Sequence, residues 1–193
     1  MEVEQGLAII PFVSQRDWEK WLGTNHATSD GLWLKIAKKG SGLETVSYAE
    51  ALETALCYGW IDGQKGAFDD KFWLQRFTRR GRRSKWSRVN REKATELLAQ
   101  GRLRPTGLAE VERAQADGRW EAAYESQSRA TVPDDLRREL DRSPAAKAFF
   151  ATLDSGNRYA ILYRLQDAKK PETRARRLEQ FVAMLSEGRK LHP

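Results

Sequence analysis

The cations of one short window are the residues of this 193-residue sequence best suited to binding chemistry. Between residues 76 and 93, nine positive side chains stand against Glu92 alone, which gives the window a net charge of +8. They are Arg76, Arg79, Arg80, Arg82, Arg83, Lys85, Arg88, Arg91 and Lys93. The whole chain carries only +7, so the basic character is local, and it predicts an anionic partner.

Phosphate is the anion that this window suits best. Arginine guanidinium groups match phosphate oxygens bidentately, and a helix that opens at Ser87 would add its N-terminal amides. Four aromatic residues lie among the cations, namely Phe72, Trp73, Phe77 and Trp86. The alternative is a solvated loop whose counter-charges come from the protein itself. Asp62, Asp69, Asp70 and Glu92 are the nearest carboxylates in sequence.

A second candidate is Asp62, which lies in the motif GWIDG between Gly59 and Gly63. Glycines permit the backbone to approach a ligand closely, and Asp62 would then act as a hydrogen-bond acceptor or base. The alternative is structural: the glycines end a helix and begin a hairpin, while Asp62 binds turn amides. The motif is compatible with both interpretations.

These residues support two functional hypotheses. In the first, the chain binds nucleic acid: Arg76, Arg79, Arg80, Arg82, Arg83 and Lys85 contact phosphates, and Trp73 and Trp86 stack on bases or line the groove. In the second, the chain is an enzyme or sensor for a small anionic metabolite, with Asp62 as base and Arg76 as anion clamp. That pocket would be lined by Trp60, Asp62, Gln64, Gln75, Arg76, Ser84, Trp86 and Asn90. A third possibility, an adaptor that uses its C-terminal helices, predicts an exposed apolar patch.

Other chemistry finds little support in the composition. With Cys57 as the single cysteine, the chain cannot form an internal disulfide, and His26 and His192 are too few for a zinc site. We expect Cys57 to be a buried small hydrophobe, and we predict no cofactor. The N-terminus lacks the pattern of a signal peptide, and no apolar run reaches the roughly 20 residues of a membrane span, so we expect a cytoplasmic protein.

Alternating and helical patterns predict the elements that position these residues. A helix is expected over 14–22, ending at Gly23, and a strand follows around Leu32–Ala37. Ser47 and Glu50 form a capping box for the next helix, and a β-hairpin follows it. The helix opened by Ser87 should direct Val89, Ala94, Leu97 and Leu98 inward, and a further helix covers about 108–116.

Beyond residue 118 the pattern changes. Residues 119–133 are polar and small, and we interpret them as a linker. From residue 134 onward the signals are helical, with helix starts at Pro144 and Pro171. We therefore predict an α+β fold: an α+β domain over 1–118 with helices packed on a small sheet, then an all-helical unit of three or four helices over 134–193. Five cations of the last part, Lys169, Lys170, Arg174, Arg176 and Arg177, form either a second anion-binding face or, as we prefer, the solvated side of a helix.

Several motifs in order resemble one family over nearly the whole chain. They include GLWLKIAKKG, YAEALETALCYGWIDGQK, RFTRR, SKWSRVN, VPDDL, YAILYR and KKPETRARR. The chain resembles the YdeI/OmpD-associated family, also labelled bacteriocin-protection. That resemblance implies a role in resistance to cationic antimicrobial peptides or bacteriocins through association with an outer-membrane porin. It implies no catalytic residues.

Overall fold

A computed structural model of the chain describes residues 2–193. The first part contains β1 (Val3–Glu4), β2 (Leu7–Pro11), α1 (Gln15–Asn25), β3 (Leu32–Ala37), α2 (Tyr48–Cys57), β4 (Trp60–Ala67), β5 (Phe72–Arg79), α3 (Arg88–Ala99) and α4 (Pro105–Ala116). Four further helices follow: α5 (Asp134–Arg142), α6 (Pro144–Thr152), α7 (Ser155–Gln166) and α8 (Pro171–Ser186). The predicted α+β fold with a helical C-terminal part is confirmed.

The described strands form one sheet in the order β1-β2-β3-β5-β4. β2 runs parallel to β3, and the other neighbouring pairs are antiparallel. The hairpin of β4 and β5 is the one predicted, and the Asp69 side chain closes its turn by accepting hydrogen bonds from the Lys71 and Phe72 amides. β1 and β2 had no counterpart among the predicted elements.

Aromatic side chains fill the core on the face of the sheet that carries α1 and α2. Trp18 and Phe77 are both fully buried, with ring centroids 5.7 Å apart. Leu32, Leu34 and Ile36 are buried as their alternation predicts. This rigid layer fixes the strand positions from which the candidate residues project.

The two helices on this layer begin as predicted, but one ends later. Ser47 and Glu50 form the capping box of α2, and Gly59 (φ +74°) follows its C-terminus. Helix α1 continues through Gly23 to Asn25, and a Cβ atom at Gly23 would lie 3.7 Å from the Tyr58 hydroxyl. A glycine inside a helix is unfavourable by about 1 kcal/mol and need not end it.

Helix α3 buries a different stripe from the one predicted. Asn90, Ala94 and Leu97 are buried, whereas Val89 and Leu98 are 40% and 41% exposed. The spacing i, i+4, i+7 places Asn90 on the same side of the helix as Ala94 and Leu97. The apolar character of Val89 and Leu98 was therefore a misleading guide to the inward face.

The chain divides into two compact units. The first runs to Trp86 and resumes as Asn90–Ala122, and the second consists of Ser87–Val89 and Ala123–Pro193. The segment 119–133, predicted as a linker, contributes residues to both units, and the domain boundaries proposed from the sequence stay a prediction. Within the second unit, α5–α8 enclose a core that includes Leu136, Ile161, Leu165 and Leu185.

No helix among residues 2–193 combines the length and the apolar character needed to cross a lipid bilayer.

Candidate functional site

The basic window extends from strand β5 through a loop into helix α3. Arg76 and Arg79 lie on β5, Arg80 follows its end, and Arg82, Arg83 and Lys85 lie in the loop before α3. Arg76 pairs across strands with Trp33, and Asp62 of β4 pairs with Phe77. Because neighbouring residues of a strand project to opposite faces, the side chains of Arg76 and Asp62 lie on opposite sides of the sheet.

Several cations of the window have partners within their own unit. Arg79 donates to the Asp30 carboxylate at 3.1 Å and to the Ala27 carbonyl at 3.0 Å. Lys93 lies 3.8 Å from Glu53 and 3.4 Å from Glu96. Arg88 forms an ion pair with Glu125, and Arg91 donates to the Trp120 carbonyl at 3.1 Å. Several cations that the sequence predicted to contact an anionic ligand are therefore already bound by groups of the protein itself.

Arg80 and Trp86 form part of the protein interior. The Arg80 guanidinium lies 3.6 Å from the centre of the Trp86 ring and donates to the Lys85 carbonyl at 3.0 Å. Arg80 is 4% exposed and Trp86 is 2% exposed, and Trp86 meets Trp120 edge to face. Trp86 therefore does not offer a ring for stacking on a base, because its faces are covered by protein. Arg80 has no surface from which to reach a phosphate.

Three arginines of the window remain without a protein acceptor among residues 2–193. Arg82 and Arg83 are exposed in the loop Gly81–Lys85, which we call the arginine loop. Arg76 is half-buried on the sheet, and its Nε atom is buried without a hydrogen bond. Neither a carboxylate nor a carbonyl of the described chain neutralises these three guanidinium groups.

The arginine loop is held in shape by its own residues and by Arg119. The Gly81 amide donates to the Ser84 hydroxyl oxygen at 3.0 Å, and the Ser84 amide donates to the Gly81 carbonyl at 2.9 Å. Arg119 donates to the Ser84 carbonyl at 2.7 Å, and Asp117 pairs with Arg119. Ser84 thus closes the turn. The tight turn leaves Arg82 and Arg83 at its exposed tip.

Asp62 lies in a small polar cluster on the helix side of the sheet. The Tyr48 hydroxyl donates to Asp62 Oδ2 at 2.8 Å, and Asn90 Nδ2 donates to Asp62 Oδ1 at 3.3 Å. The structure thus brings Asp62 and Asn90 together, as the metabolite hypothesis requires, but Arg76 lies on the opposite face. Asp62 does not bind turn amides, so the structural alternative for GWIDG holds for Gly59 and not for Asp62.

Tyr48 was not among the residues expected near Asp62. Tyr48 is the first residue of α2, and the capping box fixes its position. Hydrogen bonds from Ser47 to Glu50 lower the pKa of that carboxyl and keep the box closed. The Tyr48 ring lies 6.1 Å from Trp73, over which the Lys65 ammonium lies at 4.5 Å. The capping motif just before Tyr48 was a usable signal, but it gave no indication of a partner on β4.

Trp60 and Gln75 hold the hairpin rather than lining a pocket. Trp60 is fully buried, and its indole N–H donates to the His26 carbonyl at 3.1 Å. Gln75 is 4% exposed, and its amide donates to the carbonyls of Gly63 at 2.9 Å and Gln64 at 3.2 Å. These carbonyls lie where the pairing of β4 and β5 shifts register. Gln75 therefore satisfies the irregular backbone at the bulge.

Residues 2–193 contain no group of histidine, cysteine and carboxylate side chains that could hold a metal ion. Cys57 is buried, and burial raises the pKa of its thiol above the usual value, which disfavours the thiolate. Arg102 and Arg104 lie near Cys57 but are paired with Glu53 and Glu19.

Comparison with known families separates the chain into two matched regions. Residues 10–110, more than half of the chain, match the family described as domain of unknown function DUF8412. The chain belongs to the DUF8412 family. Residues 129–188 match the family described as bacteriocin-protection, YdeI or OmpD-associated, which confirms the resemblance for this part of the chain, whereas the motifs before residue 110 lie in the DUF8412 region. No curated protein and no solved structure matches the chain significantly.

The arginine loop and the Asp62 cluster both lie within the DUF8412 region. The YdeI/OmpD-associated region contains helices α5–α8. The two family matches thus cover different parts of the chain.

Proposed function

We propose that the chain binds nucleic acid in the cytoplasm through the phosphates of the polymer, and that the arginine loop makes the contact. The observation that carries the proposal is the exposure of Arg82 and Arg83 without an acceptor in residues 2–193. Neighbouring like charges repel and destabilise the folded state unless a ligand offsets them. A phosphate backbone supplies closely spaced anions that guanidinium groups bind bidentately.

The same geometry narrows the mode of binding. Trp86 is buried under Arg80, so the loop carries cations without an accessible ring at its centre. Contacts to phosphate position a protein but read no sequence. We therefore expect binding that does not depend on sequence and that does not prefer single strands for base stacking.

The metabolite hypothesis has weaker support. It needs Asp62 and Arg76 on one concave surface, and strand alternation places them on opposite faces of the sheet. Asp62 already accepts hydrogen bonds from Tyr48 and Asn90. The polar cluster around Asp62 therefore has an architectural explanation that requires no ligand.

A pair of matched double variants tests the proposal. Arg82→Gln with Arg83→Gln removes two cations from the arginine loop, whereas Arg16→Gln with Lys39→Gln removes two exposed cations elsewhere in the first unit. Binding of a fluorescently labelled 20-base-pair DNA duplex is measured by anisotropy for each protein. The loop variant should bind at least about tenfold more weakly at low salt, because it loses two phosphate contacts.

The control variant should bind within about twofold of the parent, because Arg16 and Lys39 lie outside the proposed contact. An equal loss in both variants would mean that only net charge matters, and the assignment to the arginine loop would be wrong. Unchanged binding in the loop variant would also contradict it.

A further inference from the structure

The second unit contains a groove that the proposed function does not use. It has a volume of about 730 Å³ and lies between α7 and α8. Its walls include Tyr159, Tyr163 and Arg164 from α7, and Arg177, Gln180 and Phe181 from α8. Tyr159 and Tyr163 share one face of α7, since helical positions four apart are neighbours, and Arg164 borders that face. The volume lies in the range of about 300–1,000 Å³ that is usual for small-molecule sites.

The two arginines of this groove have guanidinium N–H groups that no described protein acceptor occupies. Arg164 makes no side-chain hydrogen bond within residues 2–193, and its Nη1 atom is buried without an acceptor. Arg177 donates through Nη1 to the Arg164 carbonyl, and this bond fixes it beside Arg164. A buried charged donor without a partner is costly, so it is normally matched by an anion or a water. The free donors of Arg164 and Arg177 give the groove an anion-binding end.

The remainder of the groove is shaped for an apolar body. Tyr159 and Tyr163 lie 5.9 Å apart, and the Tyr159 hydroxyl is occupied by the Glu125 carbonyl at 2.8 Å. Burial, together with nearby Tyr124, Tyr163 and Glu125, raises the pKa of Tyr159 to about 12. The Tyr159 hydroxyl therefore stays protonated even in alkaline solution. Phe181 also lines the groove, although its side chain is largely buried in the helical core.

The end of the groove near the start of α7 is held by a buried asparagine. Asn157 is 3% exposed, accepts from the His192 amide at 2.9 Å and donates to the His192 carbonyl at 3.3 Å. This clamp places His192 among the lining residues. Asp167 is the single carboxylate among the described lining residues, against two arginines. The charge balance around the groove therefore favours a negatively charged ligand.

We propose that this groove binds a small anion built on a flat ring, that is, an aromatic phosphate or carboxylate. The anionic group would accept hydrogen bonds from Arg164 and Arg177, and the ring would pack against Tyr159, Tyr163 and Phe181. Neither requirement involves the arginine loop. The groove is thus a second site for anions, distinguished from the first by its apolar walls and by its preference for a small ligand.

Isothermal titration of the full chain with phenyl phosphate and with benzoate tests the proposal. Inorganic phosphate has the anionic group without a ring, and benzyl alcohol has the ring without an anionic group. Each should bind much more weakly than phenyl phosphate or benzoate, which combine the two. Arg164→Gln and Arg177→Gln should each weaken the binding of phenyl phosphate by about tenfold, because each removes a charge-assisted hydrogen bond to the anion. Arg176→Gln is the matched control, because Arg176 is exposed on the same helix and does not line the groove.

Two further measurements keep the result interpretable. Arg164→Gln should not lower the melting temperature, because the Arg164 side chain donates no hydrogen bond to residues 2–193 and its buried Nη1 atom has no acceptor, so the variant can be compared as a folded protein. The variant Arg82→Gln with Arg83→Gln should bind phenyl phosphate as the parent does, which separates this site from the proposed nucleic-acid contact. Absence of binding by either aromatic anion at millimolar concentration, or an equal loss in Arg176→Gln, would overturn the proposal.

Discussion

Arg174 shows how a single cation can belong entirely to the architecture. Its Nε and Nη2 atoms donate to the two oxygens of Asp135 at 2.6 and 2.9 Å, and Nη1 donates to the Leu165 carbonyl at 2.7 Å. Both side chains are less than one-third exposed. This residue joins α8 to the start of α5, and it is not available to an external anion.

Replacing Arg174 should therefore destabilise the fold. Arg174→Ala is expected to lower the free energy of unfolding by about 2 kcal/mol, because it removes charge-assisted hydrogen bonds from a partly buried carboxylate. Arg137→Ala is the control, since the Arg137 and Asp134 side chains are 61% and 80% exposed, and its effect should be about 0.5 kcal/mol or less. Urea unfolding followed by circular dichroism measures both, and equal effects would contradict the structural role.

The same ion pair predicts a dependence on pH. Hydrogen bonds from Arg174 hold the pKa of Asp135 below its ordinary value. A carboxyl with a lowered pKa in the folded state contributes stability above its unfolded pKa, about 3.9, and loses it as the pH falls through the folded value. Asp135→Asn should therefore lose less stability than the parent between pH 5 and acidic conditions. An identical acid profile for both proteins would refute this assignment.

The sequence located the basic window but did not distinguish its buried arginines from its exposed ones. Arg80 and Arg82 look equivalent in the sequence, yet Arg80 lies on Trp86 in the interior while Arg82 is exposed. The difference depends on where β5 ends and on the packing of Trp86 against Trp120. Similarly, Arg174 was grouped with a solvated face or a second anion site, because its partner Asp135 lies 39 residues away.

At the scale of elements, helix α4 packs closely against the end of α2. A Cβ atom on Gly107 would lie 2.3 Å from the Cys57 carbonyl oxygen and 2.8 Å from that of Leu56. These contacts are backbone atoms, which cannot rotate away as a side chain can. Gly107 is therefore required by the approach of the two helices.

Two glycine-to-alanine substitutions should change the stability of the fold in opposite directions. Gly107→Ala should destabilise the chain by about 1–3 kcal/mol, since the added methyl group overpacks the contact. Gly23→Ala should stabilise it by up to about 1 kcal/mol, because Gly23 is helical and its Cβ would meet only the Tyr58 hydroxyl at 3.7 Å. Thermal unfolding measures both changes. A stabilising Gly107→Ala would show that the helices do not approach as described.

The sequence predicted the elements whose ends are marked by local signals such as capping residues and prolines. The capping box at Ser47 and the prolines at the starts of α6 and α8 are read directly from neighbouring residues. Strand β2 has no such signal: it is five residues long, nearly all apolar and ended by Pro11. Its identity as a strand depends on pairing with β3, which begins more than 20 residues later. Pairing between strands so far apart in the sequence leaves no local pattern of apolar and polar residues that would predict it.

At the scale of the whole molecule, charge is concentrated rather than spread. The basic window holds +8 in a chain of +7, and internal partners account for Arg79, Arg88 and Lys93. Among the described residues of this window, Arg82 and Arg83 are the exposed arginines without an acceptor, and they lie together in one loop. We therefore expect a small number of phosphate contacts and a correspondingly moderate dependence of binding on salt.

The salt dependence of duplex DNA binding tests this central claim most directly. Each neutralised phosphate contributes a slope of about −0.9 to the logarithm of the binding constant against that of the salt concentration, so two or three loop cations predict about −2 to −3. Anisotropy titrations of the parent protein at several salt concentrations from about 50 to 200 mM measure the slope. A straight line with that slope is the predicted result. No detectable binding at the lowest salt, or affinity that salt does not change, would contradict the account.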